Sequence, residues 1–269
     1  MADQKELRIG FVGGGNMAFA MARGFIKSEL VKPENIIIST LSDRGVGKWK
    51  EMNCRATKIN HEVVKNSEIV FIAVKPHIVR TVMKELQNDF TKDHLVVSIA
   101  AGITLATFES FGVRRMVRVM PSLPCAVQQG ASAFSCGSNV TREDAALVHR
   151  LMSSVGYVEE VKESLIDVVA SISGSGSAFL YLVTEALADG AVKAGLPRPS
   201  AMAFAAHTVQ GAGAVVNQTG KHPAQLKDET CSAGGSTIVG IHELEKVGVR
   251  GAFISAVECA TKRAKELGN

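Results

Sequence analysis

The chain has 269 residues, of which 46% are hydrophobic, and a formal net charge of +4. This amount of apolar material is enough for one large domain or two modest ones. The charge is mild and its basic residues form no long run, which argues against a dedicated nucleic-acid surface. We therefore expect no nucleic-acid partner.

The five cysteines form no C-x-x-C pair, and no histidine pair completes a zinc pattern. This usage predicts reduced thiols in a reducing compartment. Residues 1–8 are short and polar, unlike a signal or transit peptide. The longest apolar candidate, residues 201–216, is interrupted by His207 and Gln210 and falls short of the roughly 20 residues of a membrane span. We therefore expect a cytoplasmic protein without a membrane segment.

Four apolar runs in the first part of the chain predict strands, at residues 7–12, 36–39, 69–74 and 95–100, and an alternating run at residues 114–120 predicts a fifth. Strands that are apolar on both faces and alternate with helices are typical of a parallel sheet covered on both sides. Ligands bind such sheets at the carboxyl ends of the strands, so we expect the loops there to line one cleft. These loops contain Gly13, Thr40, Lys75, Pro76, Ala101, Gly102, Pro121 and Ser122.

After about residue 165 the strand pattern stops and helical patterns follow. Four helices are predicted there, at residues 178–194, 200–218, 236–245 and 252–267. The first of these is apolar almost all round, which predicts a buried helix. The expected fold is therefore α/β plus all-α, with a Rossmann-type parallel-sheet domain over residues 1–164 and a helical domain over residues 165–269.

Gly13, Gly15 and Ala18 form a G-x-G-x-x-A pattern that follows the first predicted strand and opens a helix. In a dinucleotide-binding turn the first glycine makes the tight turn and the second lets the backbone approach the diphosphate. The small third residue lets helix and strand pack closely. The helix N-terminus then offers N–H groups and a partial positive charge to the phosphates. The pattern predicts a nicotinamide dinucleotide cofactor, with an ordinary βα turn as the alternative.

The end of the second strand bears on the choice between NADPH and NADH. An enzyme that prefers NAD usually has Asp or Glu there, bound to the ribose 2′-hydroxyl. This chain has Ser39 and Thr40, with Arg44 just beyond. Hydroxyl groups and a nearby arginine suit a 2′-phosphate, whereas Asp43 could bind the ribose of NADH instead. We expect NADPH, with NADH as the alternative.

Missing motifs exclude several other chemistries. The sequence has no H-E-x-x-H zinc motif, no P-loop and no set of ligands with metal spacing, so we expect no metal. Residues 173–177 resemble a nucleophile elbow only superficially, because no His and carboxylate partners can be assigned to a nucleophilic serine. Hydride transfer remains, in which the cofactor supplies the chemistry and the protein positions it.

Two segments rich in glycine and hydroxyl residues, residues 173–177 and 231–237, precede predicted helices in the second half. Helix capping and close helix packing would explain either of them. The second segment is richer than a cap requires, and its glycines and hydroxyls at a positive helix end suit a carboxylate. We therefore expect a small anionic substrate whose carboxylate binds at residues 234–237.

Several segments, in order along nearly the whole chain, resemble the pyrroline-5-carboxylate reductase family. The most specific is CSAGGSTIVGIHELE at residues 231–245. Supporting segments are GFVGGGNMAFAMARGF (residues 10–25), AVKPHIV (73–79), AAGIT (100–104), the run over residues 165–197, and HPAQL (222–226). The resemblance implies reduction of L-1-pyrroline-5-carboxylate to L-proline, the last step of proline biosynthesis. It also implies a helical domain that interleaves with a partner subunit in dimers, which often assemble into decamers.

The resemblance assigns roles to individual residues. Cofactor contacts are implied for Val12, Gly13, Gly14, Gly15, Asn16, Met17, Thr40, Asn60, Ala73, Val74, Lys75, Pro76, Ala101 and Gly102. Substrate contacts are implied for Glu163, Ser236 and Thr237, with Ser232, Gly234 and Gly235 shaping the loop. The chain departs from the usual family residue, Pro or Asn, at Ser122, Ser177, Glu229 and Ala233. These departures affect affinity and cofactor preference more than the reaction.

Thr237 is the first catalytic candidate, because its hydroxyl could hydrogen-bond the ring nitrogen. A cyclic imine is partly protonated near neutral pH, so proximity and orientation could supply most of the rate. Lys75 is the second catalytic candidate, with cofactor positioning as its alternative role. Two other functions stay open. One is a Rossmann reductase for a β-hydroxyacid or a different imine, and the other is a non-enzymatic NADPH-binding sensor or scaffold.

Overall fold

The computed structural model describes residues 7–267, except for the side chains of Arg44 and Leu267. Within that range the chain forms two compact units, residues 7–174 with 261–267 and residues 175–260. The first unit is α/β and the second is helical, so the predicted fold class is confirmed. The domain boundary near residue 164 stays a prediction, because a continuous helix, Glu163–Lys193, passes through this part of the chain.

An eight-stranded sheet forms the centre of the first unit, with strand order β3-β2-β1-β4-β5-β6-β7-β8. The strands from β1 to β6 are parallel, β7 is antiparallel to β6, and β8 is parallel to β7. Their bounds are β1 Ile9–Val12, β2 Ile36–Ser39, β3 Arg55–Thr57, β4 Ile69–Ile72, β5 Leu95–Ser98, β6 Arg115–Met120, β7 Gly130–Cys136 and β8 Gly156–Glu160.

Seven helices of the first unit connect or follow these strands. They are α1 Asn16–Lys27, α2 Asp43–Lys50, α3 Asn60–Lys65, α4 Pro76–Leu86, α5 Leu105–Glu109, α6 Arg142–Ser153 and α7 Glu163–Val169. Alternate side chains of one strand enter different hydrophobic clusters: Phe11 and Phe71 belong to one, Val12 and Ile72 to the other. Successive strand residues point to opposite faces, so the sheet has an apolar core on both of its faces.

Three strands of the sheet were not predicted from the sequence. β3 has three residues and begins with a charged one, Arg55. β7 consists mainly of small residues, and β8 ends in Glu159 and Glu160 on the edge of the sheet. None of the three has the continuous apolar run that marks a strand buried on both faces.

The second unit contains helices α8 Gly176–Lys193, α9 Arg198–Thr219, α10 Pro223–Thr230, α11 Ser236–Lys246 and most of α12 Val249–Leu267. The prediction that residues 173–177 lie before a helix N-terminus is wrong. A π-helical turn, Ala170–Ser175, joins α7 to α8 without a break. The backbone N–H groups of this segment are therefore inside a helix and cannot form an anion site at its start.

Residues 178–194 do form a helix, but in the single chain only Ala188 of α8 is buried, so its predicted burial would require a partner subunit and stays a prediction. Glu163–Lys193 is moreover long and apolar enough to cross a membrane by length and composition, which contradicts the expectation that no such segment exists. In the single chain only 11% of the most apolar part of this helix is buried. A helix that packs against a second subunit has the same composition, because either environment is apolar.

Candidate functional site

The glycine turn connects β1 to α1 at the carboxyl edge of the sheet. Gly13 has a φ of +105°, which L side chains rarely adopt, and a Cβ atom there would lie 2.7 Å from the carbonyl oxygen of Ala73. The amide of Gly13 donates a hydrogen bond to Ser39 Oγ at 3.2 Å. The turn is thus fixed against the ends of both neighbouring strands and accepts only glycine at this position.

Gly15 differs from Gly13, because a Cβ atom there would meet no protein atom within 4 Å. Gly15 is also the N-cap of α1, and no side chain caps this helix or places an acid in its first turn. Ala18 is fully buried and lets the helix pack closely on the sheet. The exposed N–H groups and the open space above Gly15 fit a dinucleotide diphosphate.

A cleft of about 810 Å³ lies over this turn. Its lining is Gly13, Gly14, Gly15, Ser39, Thr40, Leu41, Ser42, Lys58, Asn60, Ala73, Val74, Lys75, Ile78 and Val82. Eight residues of the predicted cofactor set are therefore together, while Val12, Asn16, Met17 and Pro76 adjoin them in sequence. Ala101 and Gly102 follow β5 and are not part of the lining. The cleft is lined by three of the five predicted loops, and the roles of individual residues stay predictions.

Trp49 supports the glycine turn from the side of α2, a role that the sequence analysis missed. Its side chain is fully buried, and its Nε1 donates a hydrogen bond to the carbonyl oxygen of Gly14 at 3.2 Å. The indole meets the Phe19 ring edge-on, with 5.3 Å between the ring centroids. This aromatic contact joins α1 to α2, and the hydrogen bond from Trp49 fixes the backbone of the glycine turn.

Lys58 is a second residue that the sequence analysis missed. Its Nζ lies 2.7 Å from Asp43 Oδ1, and Lys58 itself lines the cleft beside Thr40 and Ser42. The hydrogen bond from Lys58 lowers the pKa of the Asp43 carboxyl group. Asp43 is therefore a paired carboxylate. Arg44, predicted to suit a 2′-phosphate, has a side chain outside the described residues.

Asn60, another predicted cofactor contact, begins α3 and is half-buried. Its Nδ2 donates hydrogen bonds to both carboxylate oxygens of Glu85, at 3.3 and 3.1 Å. Glu85 lies on α4, so the amide is held between two helices. This arrangement fixes the orientation of the Asn60 side chain at the rim of the cleft.

Glu163 is a paired carboxylate and lies within the first unit. Its Oε1 accepts a hydrogen bond from the Leu105 amide at 2.7 Å and lies 3.4 Å from Nη1 of Arg118. Arg118 is 3% exposed and also contacts Asp167 at 2.7 Å. Because a buried guanidinium requires compensating charge, this cluster ties α7 to β6 and α5.

Ser122 and Lys75 occupy loops that follow β6 and β4. Ser122 is buried, and its hydroxyl accepts a hydrogen bond from the Ala131 amide at 2.9 Å. That bond gives Ser122 a structural role between the loop and β7. Lys75 is exposed and is the N-cap of α4, with Pro76 at the first helical position. Proline is favoured there because its missing N–H needs no partner.

In the second unit, the predicted carboxylate loop ends at α11. Gly235 is the N-cap of this helix, and its amide donates a hydrogen bond to the carbonyl oxygen of Ser232 at 3.1 Å. No side chain caps α11, and no acid is present in its first turn. The turn formed by Ser232 and Gly235 leaves the first amides of an 11-residue helix available to an anion.

Thr237 lines a cavity of about 590 Å³ together with Glu229, Thr230 and Ile241. Glu229, which replaces the usual Asn, accepts hydrogen bonds from Lys221 Nζ and Gln225 Nε2, each at 2.9 Å. Lys221 thus compensates the added charge and lowers the pKa of the Glu229 carboxyl group. The sequence alone could not have paired Lys221 with Glu229, because that contact depends on the turn before α10.

Two family models match the chain. Residues 163–267 match the model described as pyrroline-5-carboxylate reductase dimerisation. Residues 8–102 match the model described as NADP oxidoreductase coenzyme F420-dependent. The first match covers the helices with exposed apolar side chains, and the second covers the glycine turn and the cleft.

Curated relatives and solved structures match over nearly the full length. Pyrroline-5-carboxylate reductase 3 of Danio rerio is 49% identical over 99% of this chain and 93% of its own length. Pyrroline-5-carboxylate reductase of Arabidopsis thaliana is 43% identical over 98% and 96%. The Coxiella burnetii enzyme superposes with a TM-score of 0.92 at 33% identity, covering 98% of this chain and 100% of that one. The Plasmodium falciparum enzyme with NADP bound gives 0.88 at 31% identity, covering 98% of both.

Proposed function

The chain belongs to the pyrroline-5-carboxylate reductase family and is an NAD(P)H-dependent oxidoreductase, and on that premise we propose how its own residues act. The reaction is reduction of the C=N bond of L-1-pyrroline-5-carboxylate to give L-proline, with NADPH as the preferred reductant. The observation that carries the proposal is a pair of uncapped helix starts preceded by glycine, one at α1 and one at α11. Each suits an anion, the cofactor diphosphate and the substrate carboxylate respectively.

The preference for NADPH is supported by the end of β2. Ser39 and Thr40 stand where an enzyme that prefers NAD usually has an acid. The acid that follows, Asp43, is already paired with Lys58. Lys58 places a positive charge beside Asp43, so the two side chains together carry no net charge where a 2′-phosphate would approach. The relative of Plasmodium falciparum with NADP bound is consistent with this choice.

The reduced nicotinamide, when bound, supplies the hydride. In our proposal the amides of Ser236 and Thr237 hold the substrate carboxylate, and the Thr237 hydroxyl donates to or accepts from the ring nitrogen. Ser232, Gly234 and Gly235 shape this loop, and Glu163 contributes to substrate binding through its fixed carboxylate. Lys75, at the start of α4, positions the cofactor. The chain thereby acts mainly through orientation of the two reactants.

Self-association of this family is carried by the helical part, and we infer that this chain assembles further, as five dimers. Exposed apolar side chains on α8 and α9, such as Leu182 and Phe204, support pairing through these helices. We also infer a cytoplasmic location, which the five free cysteines suit. Native mass spectrometry would distinguish a dimer from a decamer.

The proposed reaction is tested by following NADPH and NADH oxidation with purified protein and L-1-pyrroline-5-carboxylate. We expect imine-dependent oxidation, with a higher kcat/KM for NADPH than for NADH. Cofactor binding without turnover would favour a sensor or scaffold. Faster turnover of a β-hydroxyacid or a different imine would favour another Rossmann reductase.

A further inference from the structure

Lys58 occupies the part of the cleft where the cofactor ribose is expected. β2 and β3 are neighbours in register, with Ser39 opposite Thr57, and the Thr40 amide donates to the Thr57 carbonyl oxygen at 3.0 Å. Lys58 therefore follows β3 directly beside the end of β2. Parallel sheets of this type bind the ribose 2′ position at the end of β2.

We propose that Lys58 is the residue that selects NADPH, by holding the 2′-phosphate of the cofactor with its ammonium group. The inference rests on the proposed preference for NADPH and names the side chain responsible for it. Lys58 lines the cleft together with Thr40, Leu41 and Ser42, so its ammonium and two hydroxyls surround one rim. A cation and hydroxyl donors are the groups that recognise a phosphate monoester.

Asp43 acts as an internal competitor for Lys58. The Asp43 carboxylate lies 2.7 Å from the ammonium, and its side chain is 90% exposed against 56% for Lys58. An exposed ion pair is weak, so a doubly charged phosphate can displace the carboxylate. Lys58 is in this way kept at the rim by Asp43 before the cofactor arrives and transfers its contact to the 2′-phosphate. NADH, which has no such phosphate, leaves the pair unchanged.

The test measures binding of two cofactor fragments, 2′,5′-ADP and 5′-AMP, by isothermal titration calorimetry without substrate. Lys58→Met removes the charge and keeps most of the stem. We expect it to weaken 2′,5′-ADP binding about tenfold to a hundredfold and to change 5′-AMP binding by less than about twofold. Lys65→Met is the matched control, because Lys65 is an exposed lysine at the end of α3 and outside the cleft lining. It should leave both affinities unchanged.

Asp43→Asn gives a second, opposite readout. It should tighten 2′,5′-ADP binding, and the gain should shrink when Lys58→Met is already present, because the two side chains are coupled. Equal discrimination between the fragments by Lys58→Met and the wild-type protein would overturn the role of Lys58 while leaving the preference for NADPH standing. If Arg44→Met weakened 2′,5′-ADP binding and Lys58→Met did not, the role of Lys58 would be overturned in the same way. A wild-type protein that binds both fragments equally would overturn the preference itself and this inference with it.

Discussion

The two units bury their apolar residues in different ways. The first unit has a core on both faces of its sheet, and its large side chains, such as Phe11, Phe71 and Trp49, are fully buried. In the second unit the buried hydrophobic residues among those described are Ala188, Ala201 and Ala205, all of them small. Large residues of its helices, including Leu182 and Phe204, are each 68% exposed in the single chain.

This contrast teaches that a hydrophobic pattern specifies burial without specifying the partner. Both units are rich in apolar residues, and burial of such surface stabilises a protein whether it occurs within one chain or between two. The strands of the first unit find their neighbours within the same chain. We infer that the helices of the second unit complete their burial by self-association. The stability of the second unit should therefore depend on protein concentration, and that of the first should not.

The largest effect should come from placing charge on the helices that lack an internal core. We expect the double variant Leu182→Asp with Phe204→Asp to dissociate into monomers. Dissociation is expected because an unpaired buried carboxylate costs on the order of several kcal/mol. The kcat/KM of the resulting monomer should fall by about a hundredfold or more. Light scattering after size-exclusion chromatography and a steady-state assay measure the two results.

Tyr157→Asp is the control for this variant, since Tyr157 is 65% exposed but lies on β8 of the first unit. It should leave the assembly intact. An active monomer of the double variant would show that the second unit folds by itself, and the contrast between the units would then be wrong.

The next effect concerns two glycines of the first unit that differ in their surroundings. Gly13→Ala should destabilise the protein by about 2–4 kcal/mol and abolish cofactor binding, because φ is positive and the Cβ would clash with the Ala73 carbonyl group. Gly15→Ala should weaken cofactor binding without lowering Tm, since its Cβ would enter only the open cleft. Thermal unfolding and titration with NADPH separate the two. Equal loss of stability in both variants would contradict a cleft above Gly15.

A smaller effect is expected at the substrate loop of the second unit. Thr237→Ala should lower kcat/KM by about one to two decades, if one polar contact of about 1.5–3 kcal/mol is lost. The assembly should not change. Thr230→Ala is the matched control, because Thr230 lines the same cavity but its hydroxyl already donates to the Leu226 carbonyl oxygen at 2.8 Å. Unchanged kinetics in Thr237→Ala would contradict the proposed hydrogen bond between the Thr237 hydroxyl and the ring nitrogen.

The smallest effect should come from an ion pair that the first unit forms within itself. Asp144 is 5% exposed, pairs with Arg115 and completes the capping box of α6 with Thr141. Burial alone would raise the pKa of the Asp144 carboxyl group, but the hydrogen bonds from Arg115 and Thr141 outweigh it and lower the pKa. Asp144→Asn should reduce the free energy of unfolding by about 1–2 kcal/mol at neutral pH.

The pH dependence of this variant follows from the direction of that shift. A lowered pKa stabilises the folded state above the ordinary carboxyl value of 3.8, and the contribution is lost as pH falls through the folded pKa. Urea titrations between neutral and acidic pH should therefore show a smaller acid-dependent loss in Asp144→Asn than in the wild-type protein. Glu51→Gln, which changes an exposed carboxylate at the C-cap of α2, is the control and should change stability far less.

The sequence predicted the parts of the fold in which local pattern and tertiary environment agree. β1, β2, β4 and β5 have apolar runs, β6 alternates between apolar residues and arginine, and each was predicted within two residues of its ends. The edge strand β8 was missed because its exposed glutamates lack that pattern. The helix start expected after residues 173–177 was wrong. Glycine and serine weaken a helix, but here a π-helical turn accommodates them and the helix continues.

Gly13 was predictable from the sequence, because its positive φ and its close neighbours require glycine, whereas Gly15 has open space beside it and its role toward the cofactor stays a prediction. Residues that act through distant partners were not predictable. Lys58 and Asp43 are 15 positions apart in sequence and meet because β3 lies beside β2. Trp49 reaches the glycine turn only through the packing of α2. A single sequence contains no local signal for either contact.

Trp49 is the only tryptophan of the chain, and its indole touches the backbone of the turn that is expected to hold the cofactor. The protein therefore carries a built-in fluorophore at its binding site. Reduced nicotinamide absorbs light in the range where indole emits, so occupancy should quench the emission by energy transfer. Cofactor arrival could then be timed in a stopped-flow instrument without a label, separately from every later step of turnover.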